Sequence, residues 1–155
     1  MVGPYGYCAD ISRAFVVGNK FNDEQKKLYS MAVEQIDYNS NLIKPGLLFM
    51  EFIEKSWILP NQYYPNRYSC MVHGIGLCDE WPFIRYPTDG GEHSGTFQKN
   101  MTITVESYIG KVGGKEGVKL EQQYLITENG LELMSHHPLE DFSWNKIKKV
   151  NRIIL

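Results

Sequence analysis

Two alternating runs joined by a glycine-rich turn constrain this chain most. In "MTITVESYI", residues 101–109, Met101, Ile103 and Val105 share one face, while Thr102, Thr104 and Glu106 share the other. In "VKLEQQYLI", residues 118–126, Val118, Leu120 and Tyr124 alternate with Lys119, Glu121 and Gln123. Between them "KVGGKEG" supplies the turn of an antiparallel hairpin. Such a hairpin has one apolar face to bury. It also lets Glu106 and Glu121 stand on neighbouring strands.

The remaining chain supplies the layers around that hairpin. Gly3, Pro4 and Gly6 read as a turn, and residues 7–17 as a strand. Asn22 with Gln25 three positions on forms a capping box. It opens an amphipathic helix whose stripe is Leu28, Met31, Ala32, Ile36, Asn39, Leu42 and Ile43, stopped by Pro45 and Gly46. A second helix is expected over residues 47–58 with Leu48, Phe52 and Ile53 inward, then a loop over 60–68. "SCMVHGIG" reads as a buried strand, and residues 79–100 as a long irregular connection rich in Pro and Gly. The closing "SWNKIKKVNRIIL" places Trp144, Ile147, Val150 and Ile154 on one helical stripe.

Composition narrows the functional classes. The 155 residues suffice for one domain with a real core. A net charge of -2 gives no basic footprint for nucleic acid. No apolar run is long enough to span a bilayer, so no membrane partner is expected. Cys8, Cys70 and Cys78 are an odd count without a C-x-x-C pair, which suggests neither a disulfide framework nor a zinc knuckle. With no signal-peptide pattern at the start, a cytoplasmic location is expected. The aromatic residues favour an enclosed small-molecule site or an interface.

Asp10, His73, Glu106 and Glu121 all sit in or beside the expected strands. Three carboxylates and an imidazole suit a divalent Mn, Fe, Co or Zn ion, and bridging carboxylates can hold two ions together. On spacing alone the ordinary reading outweighs this one: strand glutamates are usually solvated, and a lone histidine is usually just hydrogen-bonded.

The ordered motifs "GYCADISRAFVVG", "LIKPG", "HGIGL", "MTITVE" and "VKLEQQYLITENG" shift the balance. Over residues 3–135 the chain resembles the catalytic domain of the M24 metallopeptidase family, which includes methionine aminopeptidase, Xaa-Pro peptidases and creatinase. The resemblance implies an α+β pita-bread (creatinase/aminopeptidase-like) fold, incomplete at the N-terminus. It implies a partial catalytic domain over residues 1–142, followed by an amphipathic tail over 143–155. It further implies a dinuclear divalent metal centre and a homodimer. The family's ligands carry over as Asp10, His73, Glu106 and Glu121, with Asp10 and Glu121 bridging and His73 and Glu106 completing one metal site.

Two departures matter. The family has a further Asp ligand upstream of Asp10, at a position that falls ahead of Met1. The expectation is therefore a chain that begins inside the first hairpin, with one metal site intact and residues 7–17 left as an exposed edge. In addition, Glu80 stands where M24 peptidases usually carry a second histidine that helps bind the scissile peptide. The run "CDEWP", with "VGPYGYCADISR" and "YSCMVHGIGLCDEWPFIRYP", resembles the branch of the family that cleaves dimethylsulfoniopropionate by elimination. That branch implies Asp79 as the proton-abstracting base. Aromatic faces attract a sulfonium, which makes Trp81 and Tyr68 candidate substrate contacts. The alternatives are an M24 peptidase acting near proline, and a non-catalytic remnant of the fold. His136 and His137 read as a surface pair, and Cys70 and Cys78 as inert thiols.

Overall fold

The computed structural model describes residues 2–18, 20–77, 81–90 and 94–139. Helices α1 (Asp23–Leu42) and α2 (Phe49–Lys55) precede five strands. These are β1 (Cys70–Gly74), β2 (Phe83–Arg85), β3 (Thr102–Gly110), β4 (Gly117–Thr127) and β5 (Gly130–Leu133). They form one antiparallel sheet in the order β2-β1-β3-β4-β5. The fold is α+β, as expected.

The hairpin of the opening argument is its centre. β3 and β4 pair from Thr102–Leu125 to Gly110–Gly117, with Glu106 directly opposite Glu121. In the turn, Gly113 takes φ +72°, a left-handed conformation that favours glycine. Ile103, Val105, Ile109, Val118, Leu120 and Ile126 are buried on one face. α1 packs against β3 and β4 and contributes Leu28, Tyr29, Ala32 and Ile36 to the same core.

The start of α1 is fixed locally. Asn22 Oδ1 accepts from the Gln25 amide at 2.8 Å, and the Asn22 amide donates to Gln25 Oε1 at 3.0 Å. A cap of this kind contributes about 1 kcal/mol. Two polar side chains of α1 are fully buried; Gln35 is paired at both amide atoms, whereas Asn39 is paired at Oδ1 and its Nδ2 meets no acceptor among the described residues. Gln35 donates to the Tyr86 hydroxyl at 2.7 Å and accepts from Ser107 Oγ at 2.6 Å, and Asn39 Oδ1 accepts from the Trp57 amide at 2.8 Å. These bonds tie α1 to β3 and to the segments after α2 and β2, and losing the partner of a buried polar atom there would cost about 1–3 kcal/mol.

Several expectations change. Residues 7–17 form no strand; the segment joins its surroundings by an isolated Val2–Cys8 bridge and by single backbone bonds. The Cys8 amide donates to the Gly76 carbonyl at 2.6 Å, and the Ser12 carbonyl accepts from the Glu121 amide at 3.1 Å. A ladder needs successive bonds to one neighbour, and this segment meets two different parts of the sheet. The second helix is shorter than expected. Residues 46–49 run beside 95–97 instead, through Gly46 N to Phe97 O, Phe97 N to Leu47 O and Phe49 N to Gly95 O. Leu48 is consequently half exposed, and Phe49 takes the inward position with Phe52 and Ile53. Phe49 and Phe52 meet Phe97 edge-on, with centroids 4.9 and 5.6 Å apart. The connection over 79–100 contains β2, and β5 follows β4 through a tight turn. The C-terminal tail expected over 143–155 lies outside the described residues.

Candidate metal centre

The polar face of the sheet carries the candidate site. β1 pairs with β3 so that His73 stands opposite Thr104, and Glu106 lies two residues further along β3 on the same face. Glu121 is the cross-strand partner of Glu106. Asp10 arrives from outside the sheet, on the segment docked to β4 through Ser12.

The three carboxylates approach one atom, His73 Nε2. Glu106 Oε1 is 3.2 Å from it, Glu121 Oε1 3.4 Å and Asp10 Oδ2 4.0 Å. Ligand atoms of Asp10, His73 and Glu121 lie within 4.8 Å of one another. The solvated-glutamate reading fails here, because Glu106 and Glu121 are 4% and 2% exposed. Glu106 Oε1 and Glu121 Oε1 are buried and, among the described residues, meet no donor in hydrogen-bonding geometry. Like charges directly opposite on a sheet are destabilising. Two orphaned carboxylate oxygens aimed at one imidazole nitrogen are the arrangement that a divalent cation stabilises.

The surrounding contacts orient this set. His73 Nδ1 lies 2.9 Å from the Gly74 carbonyl oxygen. A carbonyl only accepts, so Nδ1 carries the hydrogen and Nε2 of the neutral ring presents its lone pair to the carboxylates. Phe83 stacks on the ring at 6.2 Å. Ser12 Oγ donates to Glu121 Oε2 at 3.0 Å, which leaves Oε1 free to face His73. Lys119 forms an ion pair with Glu106 Oε2 and holds its ammonium 4.2 Å above the Tyr68 ring.

These contacts shift the titrations. Burial works against the His73 imidazolium, but Glu121, the Gly74 carbonyl and Asp10 outweigh it and raise the pKa. Burial pushes Glu121 up, and His73, Lys119 and Ser12 more than offset it, so its pKa is lowered. Asp10 is raised, first by burial and then by repulsion from Glu121. Burial lowers the Lys119 pKa despite the pull of Glu121.

Of the other singled-out residues, Trp81 is 63% exposed and meets Phe49 edge-on at 5.9 Å. Tyr68 is 48% exposed, with one ring face against Lys119. Asp79 and Glu80 lie outside the described residues, as does Cys78. Burial pushes the Cys70 thiol up to about 12, which suits an inert core residue. The first glycine of "HGIGL" has a local explanation. A Cβ on Gly74 would stand 2.0 Å from the Trp81 carbonyl oxygen, so the backbone that passes closest is that of Trp81 and Pro82. Sequence reasoning singled out neither Ser12 nor Lys119; for Lys119, its shared face with Glu121 was the available signal.

The model of metallopeptidase family M24 matches residues 1–128. The chain belongs to this family. Among curated M24 relatives, it is 39% identical to the dimethylsulfoniopropionate lyase DddP of Roseovarius nubinhibens, over 90% of this chain and 32% of that protein. It is 33% identical to the Xaa-Pro dipeptidase of Pyrococcus furiosus, over 83% of this chain and 36% of that protein. The solved Xaa-Pro dipeptidase from Bacillus anthracis superposes with a TM-score of 0.73 at 30% identity, covering 87% of this chain and 37% of that one. The fold is therefore the M24 pita-bread fold. The chain spans about a third of the length of the curated relatives it matches.

Proposed function

We propose that this chain carries the metal-binding part of a lyase that splits dimethylsulfoniopropionate into acrylate and dimethyl sulfide. The observation that carries the reading is the higher identity to two dimethylsulfoniopropionate lyases, 39% and 37%, than to the dipeptidase at 33%. Glu80, at the place of the peptide-binding histidine, supports it.

Asp10, His73, Glu106 and Glu121 would hold a divalent transition metal, and their donor chemistry fits Mn, Fe, Co or Zn. A second ion would need a further ligand besides these four. The bound metal would attract the substrate carboxylate and offset the negative charge that develops beside it. Asp79, six residues past His73, is assigned as the base. It takes the proton from the carbon next to the carboxylate. The electron pair of that C–H bond forms the double bond, and the C–S bond breaks with its pair leaving on sulfur. Trp81 is the favoured contact for the sulfonium, because its ring is largely exposed. The Tyr68 ring already meets the Lys119 ammonium on one face, so a second cation there would face repulsion.

The peptidase reading is supported by the dipeptidase and aminopeptidase neighbours alone. The deciding experiment measures dimethyl sulfide release by headspace gas chromatography and Ala-Pro hydrolysis in parallel. It is run on this chain and on one joined to the upstream sequence of its relatives. Sulfide release without dipeptide cleavage is expected, and Asp79→Asn should lower turnover by about two to four powers of ten with metal content unchanged. Dipeptide cleavage without sulfide release would replace the lyase reading.

A further inference from the structure

Asp10 differs from the other three members of the metal set. His73, Glu106 and Glu121 stand on strands whose register is fixed over several residues. Asp10 stands on a segment with no ladder of its own, and its side chain is 43% exposed. Something other than strand pairing must therefore hold its backbone in place.

That role falls to the neighbouring Arg13. Its guanidinium donates to the carbonyl oxygens of Ser12 at 2.9 Å and Glu121 at 2.6 Å, both from Nη1. Nη2 donates to Gln122 Oε1 and to the His137 carbonyl, each at 2.5 Å, and Nε donates to the same His137 carbonyl at 3.2 Å. Gln122 Oε1 also accepts from Ser135 Oγ at 2.6 Å. One planar group thus fastens three segments: the strap bearing Asp10 and Ser12, strand β4 at Glu121, and the chain at 135–137. No other natural side chain offers donors in several fixed in-plane directions. The carbonyl of Glu121 is held by the same nitrogen that holds Ser12, so the guanidinium reinforces the direct Ser12–Glu121 bonds that register the strap against β4.

We propose that Arg13 is a positioning residue for the metal centre, acting through Asp10 and Ser12 by pinning their strap to β4. The proposal rests on the metal reading above. It assigns Arg13 no contact with metal or substrate. Loss of the guanidinium removes the fork that joins the strap to β4 and to the chain at 135–137, and circular dichroism reports whether the sheet and α1 stay folded.

The test measures Mn(II) affinity of the whole chain by isothermal titration for the parent, Asp10→Asn, Arg13→Met and the double variant, with circular dichroism to confirm folding. Arg13→Met is expected to weaken binding by about 10- to 100-fold, the usual loss on removing an outer partner of a metal ligand. In the Asp10→Asn background the same change should weaken it clearly less than in the parent, because the two changes share the Asp10 ligand. Arg13→Lys, which keeps the charge but not the fork, should fall between, and it serves if Arg13→Met does not fold. A merely structural Arg13 would lower the melting temperature while leaving Mn(II) affinity untouched or adding its full effect to Asp10→Asn, and either result overturns the proposal. If Asp10→Asn itself leaves Mn(II) affinity unchanged, the metal reading falls and this one with it.

Discussion

Gly74→Ala tests how the site is built. Gly74 ends β1, directly after His73, and its amide donates to the Pro82 carbonyl at 2.7 Å. An added Cβ would stand 2.0 Å from the Trp81 carbonyl oxygen, 2.5 Å from its carbon and 3.1 Å from Pro82 Cδ, where ordinary contact is 3.4–4 Å. The nearest atoms are backbone, so no rotamer change relieves the overlap, and the strands must separate by more than an ångström. Overpacking of this kind costs about 1–3 kcal/mol, and stretching the Gly74–Pro82 bond forfeits about 1 kcal/mol more. With a urea slope of about 2 kcal/mol per molar, the unfolding midpoint should drop by about 1–2 M. His73 should also bind metal more weakly, since Phe83, its cross-strand partner and stacking neighbour, follows Pro82 directly. Gly76→Ala is the control. Its Cβ would meet nothing nearer than Thr102 Oγ1 at 3.7 Å, so the midpoint should move by no more than about 0.5 M. Coincident urea curves for Gly74→Ala and the parent, followed by circular dichroism, would refute the close approach and the reasoning built on it.

Three other outcomes are expected. Glu121→Ala removes a buried ligand oxygen and the partner of Ser12, so Mn(II) binding by titration calorimetry should be lost, whereas Lys119→Met should retain it in weakened form. The His73 pKa is raised in the folded chain, so its contribution to metal-free stability is complete below the ordinary value of 6.5 and disappears as pH rises through the folded value. Melting temperatures of the metal-free chain should therefore fall across that range while Mn(II) affinity rises, because metal displaces the proton; affinity independent of pH would exclude His73 as a ligand. Val2, Tyr5, Tyr7, Ile11, Phe15 and Val17 leave an exposed apolar row along the N-terminal segment, and light scattering should show self-association at high concentration.

How much of this was legible in the sequence depends on periodicity. The β3–β4 hairpin, the capping box of α1 and the burial of His73 in a strand all follow from local patterns, and each pattern repeats over enough residues to fix a register. β2 and β5 span three and four residues, too few to separate alternation from chance. Leu48 misled because the pairing of 46–49 with 95–97 is a long-range contact with no local signature. The same distinction runs through the site. Period two places Glu106, Glu121 and Lys119 on one face and so could be read directly. It was also ambiguous, because a row of charged residues on one strand face usually means solvent. What reverses the meaning is burial, and the Asp10 strap beside this face is held by Ser12 and by one guanidinium meeting carbonyls more than 100 residues away in sequence. A side chain that recognises backbone oxygens leaves no trace in the identities of the residues it binds. The candidate ligands on the sheet hairpin are therefore written in a repeating pattern. Asp10, the candidate that would close the set, sits on a strap whose contacts only the folded chain discloses.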